Sequence, residues 1–401
     1  MIAMEQGISS RSRLILTGLG ALLVSAVISS IAGIYLGSVR EVLALIPGLM
    51  VLLPSIIHIR GSIAGVFACR LSSAMHLGEF SIDFEEGSVL GDNIRASFVI
   101  TILIALVIGI FSYAASRIFE YPVISITDLV LISVVTGIVA GAVVTGITLL
   151  IALASYRYGL DLDMIGAPTV TTSGDIVTLP ILVLSATFVM LLSPAMRLIL
   201  GGIAVAVAVA AVIYTLHRPE GIAPIVRENL FLLIPLSVLG TLAGLTYSFN
   251  LDALVTIAAF LILIPPFTGG LGSIGGIIGS RLSTGMHTGE LNPSFLPERG
   301  VVHHFIISYL YTLILLPLLA LIAHGAAVLM GLNSPGLGML VIISLAAGLV
   351  VMTLVNGVAY ATASLSFRYG LDPDNFGIPV ITSLIDLIGA AALVTAIGLL
   401  L

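Results

Sequence analysis

Two aspartates stand out from the rest of the chain's chemistry. Nearly all of the 20 acidic residues fall in loops or at helix ends, but Asp175 and Asp386 lie inside apolar segments. Each is six or seven residues into its segment, roughly 9–10 Å deep at 1.5 Å per helical residue. A carboxylate at that depth is expensive, turns to the bundle interior or to water, and marks an ion or proton path. Two carboxylates brought together repel and resist ionising at once. A divalent cation between them relieves the repulsion. Mg²⁺ takes oxygen ligands and gives up its waters reluctantly, so a wide, hydrated site with few carboxylates suits it. Thr171, Thr172, Thr382 and Ser383, one turn earlier, are expected to hydrogen-bond that hydration shell. The competing reading is that each aspartate pairs with an arginine or caps a broken helix.

The two aspartates are copies of one position. Residues 61–79 read GSIAGVFACRLSSAMHLGE and residues 272–290 read GSIGGIIGSRLSTGMHTGE, an offset of 211. The same offset carries SYRYGLDLDMIGAPTVTTSGDIV onto SFRYGLDPDNFGIPVITSLIDLI, and with it Asp175 onto Asp386. Such an internal repeat means a duplicated structural unit.

Three further sets of residues could act on a cation. Pro54 with Gly61 and Ser62, and Pro265 with Gly269, Gly270, Gly272 and Ser273, should unwind backbone within the membrane. Freed carbonyls are tolerated there only where buried in protein or lining a watery cavity, and they are hard ligands. In the RLS…H.GE motifs, Arg70 and Arg281 could anchor a loop to phosphate or carboxylate. His76 and His287 could sense pH or metal, or serve as helix-end hydrogen bonders, with Glu79 and Glu290 beside them as gating or loop candidates. Asp161, Asp163, Asp372 and Asp374 could form an ion vestibule, or could be N-caps, the common role of an aspartate before a helix. Arg60 and His58 have no repeat counterpart (Leu271 and Gly269) and receive no role.

The elements that must position these residues are membrane spans. Of 401 residues, 59% are hydrophobic and 8% charged, with a mean hydropathy of +1.25. Soluble domains carry roughly 25% charged residues, so the solvent of this chain must be lipid. About eleven apolar segments are predicted, near 13–36, 41–75, 94–116, 126–155, 169–193, 196–216, 227–248, 253–286, 303–330, 337–364 and 379–401. The second and eighth are too long for one simple span and contain proline (Pro47 and Pro54; Pro265 and Pro266) and then glycines, so each should be kinked or broken. The N-terminal apolar stretch after Arg11 and Arg13 runs past Gly33 with no convincing cleavage site, as a retained first helix does. The expected domains are a first repeat over 13–193, a linker helix and loop over 194–226, and a second repeat over 227–401.

One period holds five repeat spans and the linker span, and six crossings return the chain to its starting side. The halves are therefore parallel repeats, related by a pseudo-twofold along the membrane normal. That axis should bring Asp175 and Asp386 to opposite walls of one cavity. With the N-terminus cytoplasmic, eight arginines fall on inner segments and three on outer ones, in line with the positive-inside rule. The C-terminus is then external, and the protein sits as a multi-pass chain in the cell membrane. The 14 basic residues are all arginine and form no patch for nucleic acid, and the single Cys69 excludes an internal disulfide or thiolate cluster.

The order of proline, Gly-Ser, RLST…H.G and then LDPDN…P…D resembles the MgtE-type magnesium transporter domain, in the two-domain layout of the solute carrier family 41 branch. The resemblance covers roughly residues 13–193 and 227–401. It implies transport of divalent cations, chiefly Mg²⁺, by a five-helix domain used twice around a central path. It places the family's pore aspartate on Asp175 and Asp386. Bacterial members build the path from two identical chains; the linker helix would let one chain suffice, with higher oligomers also compatible. Ser62 and Ser273 stand where the family usually has asparagine, so an amide contact is missing. The bacterial regulatory domains have no counterpart, and no Mg²⁺-sensing gate is expected from them. No cofactor is expected beyond the transported ion, and no enzymatic activity. Two other functions are compatible with an apolar helical bundle. A carrier for an organic solute needs a roomy aromatic-lined pocket, against 6% aromatics and no tryptophan. An intramembrane Mg-dependent prenyltransferase needs acids three or four apart on one helix face, whereas the paired loop aspartates are two apart.

Overall fold

A computed structural model describes residues 18–158, 173–218, 221–294, 297–368, 377 and 379–401 in full. It describes 2–17, 162–172, 369, 373–376 and 378 by backbone alone. The order is α1 (Ile2–Ser38), α2 (Arg40–Leu45), α3 (Leu49–Leu77), α4 (Val89–Ile118), α5 (Ile126–Tyr158), α6 (Leu162–Leu191), α7 (Pro194–Leu216), α8 (Ile222–Phe249), α9 (Leu251–Thr256), α10 (Ala259–His287), α11 (Arg299–Leu329), α12 (Leu337–Tyr369) and α13 (Pro373–Leu400). Eleven of these are long and apolar enough to cross a membrane, all but α2 and α9. All-helical construction follows from the solvent: lipid offers no partner for a backbone amide, so each span must satisfy its own.

The expected breaks lie elsewhere than at Pro54 to Ser62 and Pro265 to Ser273. Each overlong segment does divide, but at Pro47 and Gly48 between α2 and α3, ahead of Pro54, and ahead of Pro265 and Pro266 between α9 and α10. Helices α3 and α10 then run uninterrupted through Pro54 and through Pro265 and Pro266. Gly61, Ser62, Gly272 and Ser273 are all helical, which corrects the unwound backbone expected there. A helical proline removes one i→i−4 bond, whereas unwinding would leave several groups bare in a lipid setting. The turn before α3 is instead made by Pro47 and Gly48. Gly48 sits at φ +93°, and a Cβ on it would lie 2.7 Å from Val123 Cγ2.

The helices pack as two compact units, residues 1–38 with 253–401, and residues 39–252. In the first unit, α10 packs against α1, α11, α12 and α13; in the second, α3 packs against α4, α5, α6 and α8. The units are therefore not the sequence repeats. The first helix of each repeat, α1 or α8, packs on the central helix of the other repeat, α10 or α3. Glycine permits both contacts. A Cβ on Gly33 would lie 2.0 Å from the Ile262 carbonyl oxygen, and one on Gly244 would lie 2.3 Å from that of Val51. Gly33 and Gly244 are 211 apart, as are Val51 and Ile262. Small residues at such crossings let backbones approach closely, the main packing device between helices in lipid. Ile262 is also the residue whose in-helix donor is lost to Pro266, so Gly33 backs onto a carbonyl left free in its own helix.

The linker helix α7 belongs to the second unit, against α4 and α5. Gly201 meets Thr127 of α5. Arg197 donates from Nε to the Leu192 carbonyl (2.9 Å), from Nη2 to that of Met190 (2.9 Å) and from Nη1 to Asp128 Oδ2 (3.2 Å). One guanidinium thus closes the end of α6 and ties it to the start of α5. At the loop between α3 and α4, Glu86 pairs with Arg218. That hydrogen bond holds the Glu86 carboxyl below the usual carboxylate range.

Candidate functional site

In the second unit, α6 carries Asp175 against α3. An added Cβ on Gly174 would lie 3.9 Å from Gly61 Cα and N, so the Gly61–Gly174 contact sets the aspartate beside the middle of α3. Asp175 is half-buried. It takes no hydrogen bond or ion pair from the described residues. The alternative in which it pairs with an arginine therefore has no support there. Thr178, one turn on, is fully buried, and its hydroxyl has no partner. The expected neighbours Thr171 and Thr172 lie outside the residues whose side chains are described.

In the first unit, α13 carries Asp386 against α10. The repeat counterpart of the Gly61 contact is Gly272, whose added Cβ would lie 3.6 Å from Thr382 Cγ2. Asp386 is half-buried and Ser383 fully buried. Thr382 Oγ1 donates to the Pro379 carbonyl at 3.1 Å. Ser273 Oγ donates to the Gly269 carbonyl at 2.9 Å and lies 3.5 Å from Ser25 Oγ of α1.

A partly accessible face of mostly small residues runs along each central helix. Ser62, Gly65 and Val66 of α3 are partly accessible and Cys69 is exposed; Ser273, Gly276, Ile277 and Ser280 of α10 are their counterparts and are partly accessible. A Cβ at Gly65 or Gly276 would meet nothing within 4 Å. Packing therefore does not require glycine there, and a helical glycine costs about 1 kcal/mol relative to alanine.

The H.GE motifs are helix ends. His76 Nδ1 bonds the Ser72 carbonyl at 2.9 Å, and His287 Nδ1 bonds that of Ser283 at 2.9 Å. A carbonyl only accepts, so Nδ1 carries the hydrogen in both rings. Gly78 and Gly289 follow at φ +73° and +76°, the left-handed cap that ends helices. Gly78 N–H reaches the Met75 carbonyl, and the Glu79 N–H reaches that of Ala74 at 2.9 Å. Glu79 and Glu290 are exposed at these ends. Arg70 pairs with Glu228 of α8, a carboxylate anchor; Arg281 and Glu290 each lie near His304. The vestibule candidates Asp161, Asp163, Asp372 and Asp374 lie outside the described residues. Among the described residues, no three of His, Cys, Asp and Glu gather as a metal cluster would need.

One residue given no role by sequence is buried at this level. Arg60 of α3 is 4% exposed. Its charge within an apolar segment was the available signal, and the lack of a repeat counterpart hid it.

This is a polytopic membrane protein made from a duplicated five-helix unit, with one aspartate per copy inside the membrane span. A family model described as a divalent cation transporter, MgtE, matches residues 53–185 and again 264–396, two stretches separated by the same 211 residues. The chain belongs to the MgtE family of divalent cation transporters. It is 24% identical to mouse solute carrier family 41 member 3 over 86% of this chain and 74% of that protein. It is 23% identical to the rat member 3 over 90% and 82%, and 23% identical to human solute carrier family 41 member 2 over 90% and 66%. No solved structure matches it.

Proposed function

We propose that the divalent cation carried by this chain is Mg²⁺, and that Asp175 and Asp386 are the paired carboxylates of its path. The observation that carries the reading is Asp175, a carboxylate within an apolar span that is half-buried and takes no partner from the described residues. A buried carboxylate with no partner is stabilised in its charged form by a cation beside it. Duplication supplies the second charge at Asp386. Two carboxylates with hydroxyl neighbours suit a dication that keeps most of its water. Ser62 and Ser273 on the central helices add hydroxyls to the same path, with Thr171, Thr172, Thr382 and Ser383 nearby. The N-terminus is placed in the cytoplasm and the C-terminus outside, on the arginine bias.

The test is Mg²⁺ flux into proteoliposomes with the wild type, Asp175→Asn and Asp386→Asn. Either substitution removes half the site charge and should lower flux at least about tenfold, roughly 1.4 kcal/mol of lost stabilisation. Undiminished flux in the double variant refutes the assigned site. Uptake of an organic solute without metal flux would favour the solute-carrier function instead.

A further inference from the structure

Arg60 is a cation buried in the second unit with no anion beside it among the described residues. Nη1 donates to Thr101 Oγ1 of α4 at 3.0 Å, and Nη2 to the Gly137 carbonyl of α5 at 2.9 Å. Its Nε has no partner, and no carboxylate pairs with it among the described residues. The space is cut to its shape: a Cβ on Gly141 would lie 2.6 Å from Nη1 and 3.3 Å from Cζ.

The chain itself contains the apolar alternative. At the repeat-equivalent positions Arg60 becomes Leu271, Ala105 becomes Leu316 and Gly141 becomes Met352, while Thr101 and Gly137 recur as Thr312 and Gly348. Leu271, Leu316 and Met352 are each 0% exposed. Two large apolar side chains thus fill in one copy the room that the guanidinium takes in the other. An unpaired buried charge is costly to a fold, and apolar residues of similar volume commonly serve better. The other copy thus closes the same crossing without a charge. The place of Arg60 is telling, because the next residue, Gly61, forms the contact with Gly174 that seats Asp175.

We infer that Arg60 is a specificity-determining residue: a fixed positive charge that weakens cation binding beside Asp175, so that the dication is released rather than trapped. This rests on the transport reading above. A path needs binding strong enough to admit an ion and weak enough to let it leave. Repulsion from a fixed charge acts on a dication with twice the energy it exerts on a monovalent ion. In a low-dielectric interior, salt screens it little. The charge also makes the two copies unequal, since the Asp386 side has leucine in its place.

The experiment compares Mg²⁺ flux in proteoliposomes for the wild type, Arg60→Met, Arg60→Lys and the transplant Arg60→Leu/Ala105→Leu/Gly141→Met, which installs the other copy's packing. Removing the charge should lower KM for Mg²⁺ about tenfold and reduce maximal flux, in both the Met variant and the transplant. Arg60→Lys should keep the wild-type KM. A wild type with divalent flux whose KM is unchanged in folded, monodisperse charge-free variants overturns this inference alone, as does lower flux without a KM change. A wild type with no divalent flux brings down the transport reading as well.

Discussion

The exchange of first helices can be tested at its closest contacts. A Cβ added at Gly33 would lie 2.0 Å from the Ile262 carbonyl oxygen and 3.1 Å from Pro266 Cδ. Ordinary contact is about 3.4 Å or more, so α1 must retreat from α10 by over an ångström, against backbone and a rigid ring. Gly33→Ala should therefore cost about 2–4 kcal/mol, at or above the usual range for overpacking. Gly244→Ala should cost a similar amount, since its Cβ would lie 2.3 Å from the Val51 carbonyl oxygen and 2.8 Å from Val51 C and Cα. The control is Gly20→Ala on the same helix α1, where a Cβ would meet nothing within 4 Å. That change should be neutral or stabilising by up to about 1 kcal/mol through helix propensity. Denaturant titration in detergent, read by the monodisperse fraction on size exclusion, separates the three. If Gly33→Ala and Gly244→Ala unfold with Gly20→Ala, the α1–α10 and α3–α8 crossings are not the close contacts described, and the regrouping of the repeats fails with them.

Two other perturbations probe the linker helix and the open faces. Asp128→Asn should destabilise the chain by about 1–3 kcal/mol, because it leaves the half-buried Arg197 guanidinium short of its anion; a denaturant titration would show this, with no shift in KM. Gly65→Val and Gly276→Val should leave unfolding within about 1 kcal/mol of wild type, since neither Cβ meets a neighbour. The same pair should cut Mg²⁺ flux at least about tenfold if those faces line the ion path.

Much of the architecture was legible before any coordinates. Charge depletion and eleven apolar runs put the chain in lipid, and the run boundaries fall within about six residues of the helix ends except at the starts of α1 (Ile2 against 13) and α6 (Leu162 against 169). The linker helix was visible as the span without a counterpart. Pro54, Pro265 and Pro266 misled, because proline signals a local loss of one hydrogen bond, while the decision to break depends on what surrounds the helix. His76 and His287 looked like candidate sensors, yet the glycine two residues on already marked a helix end, and each imidazole bonds the carbonyl one turn back.

The chain's residues alone determined its solvent and its duplication, because partition into lipid and chain periodicity are local properties. Tertiary structure decided which helices pair, so that α1 joins α10 and α8 joins α3, and it decided that Arg60 is buried rather than turned to water. The physical reason is that a leucine facing lipid and a leucine facing another helix have nearly the same solvation energy. Hydropathy therefore cannot rank partners. Backbone approach at Gly33 and Gly244, and side-chain volume at Gly141 and Met352, do so between residues far apart in the chain.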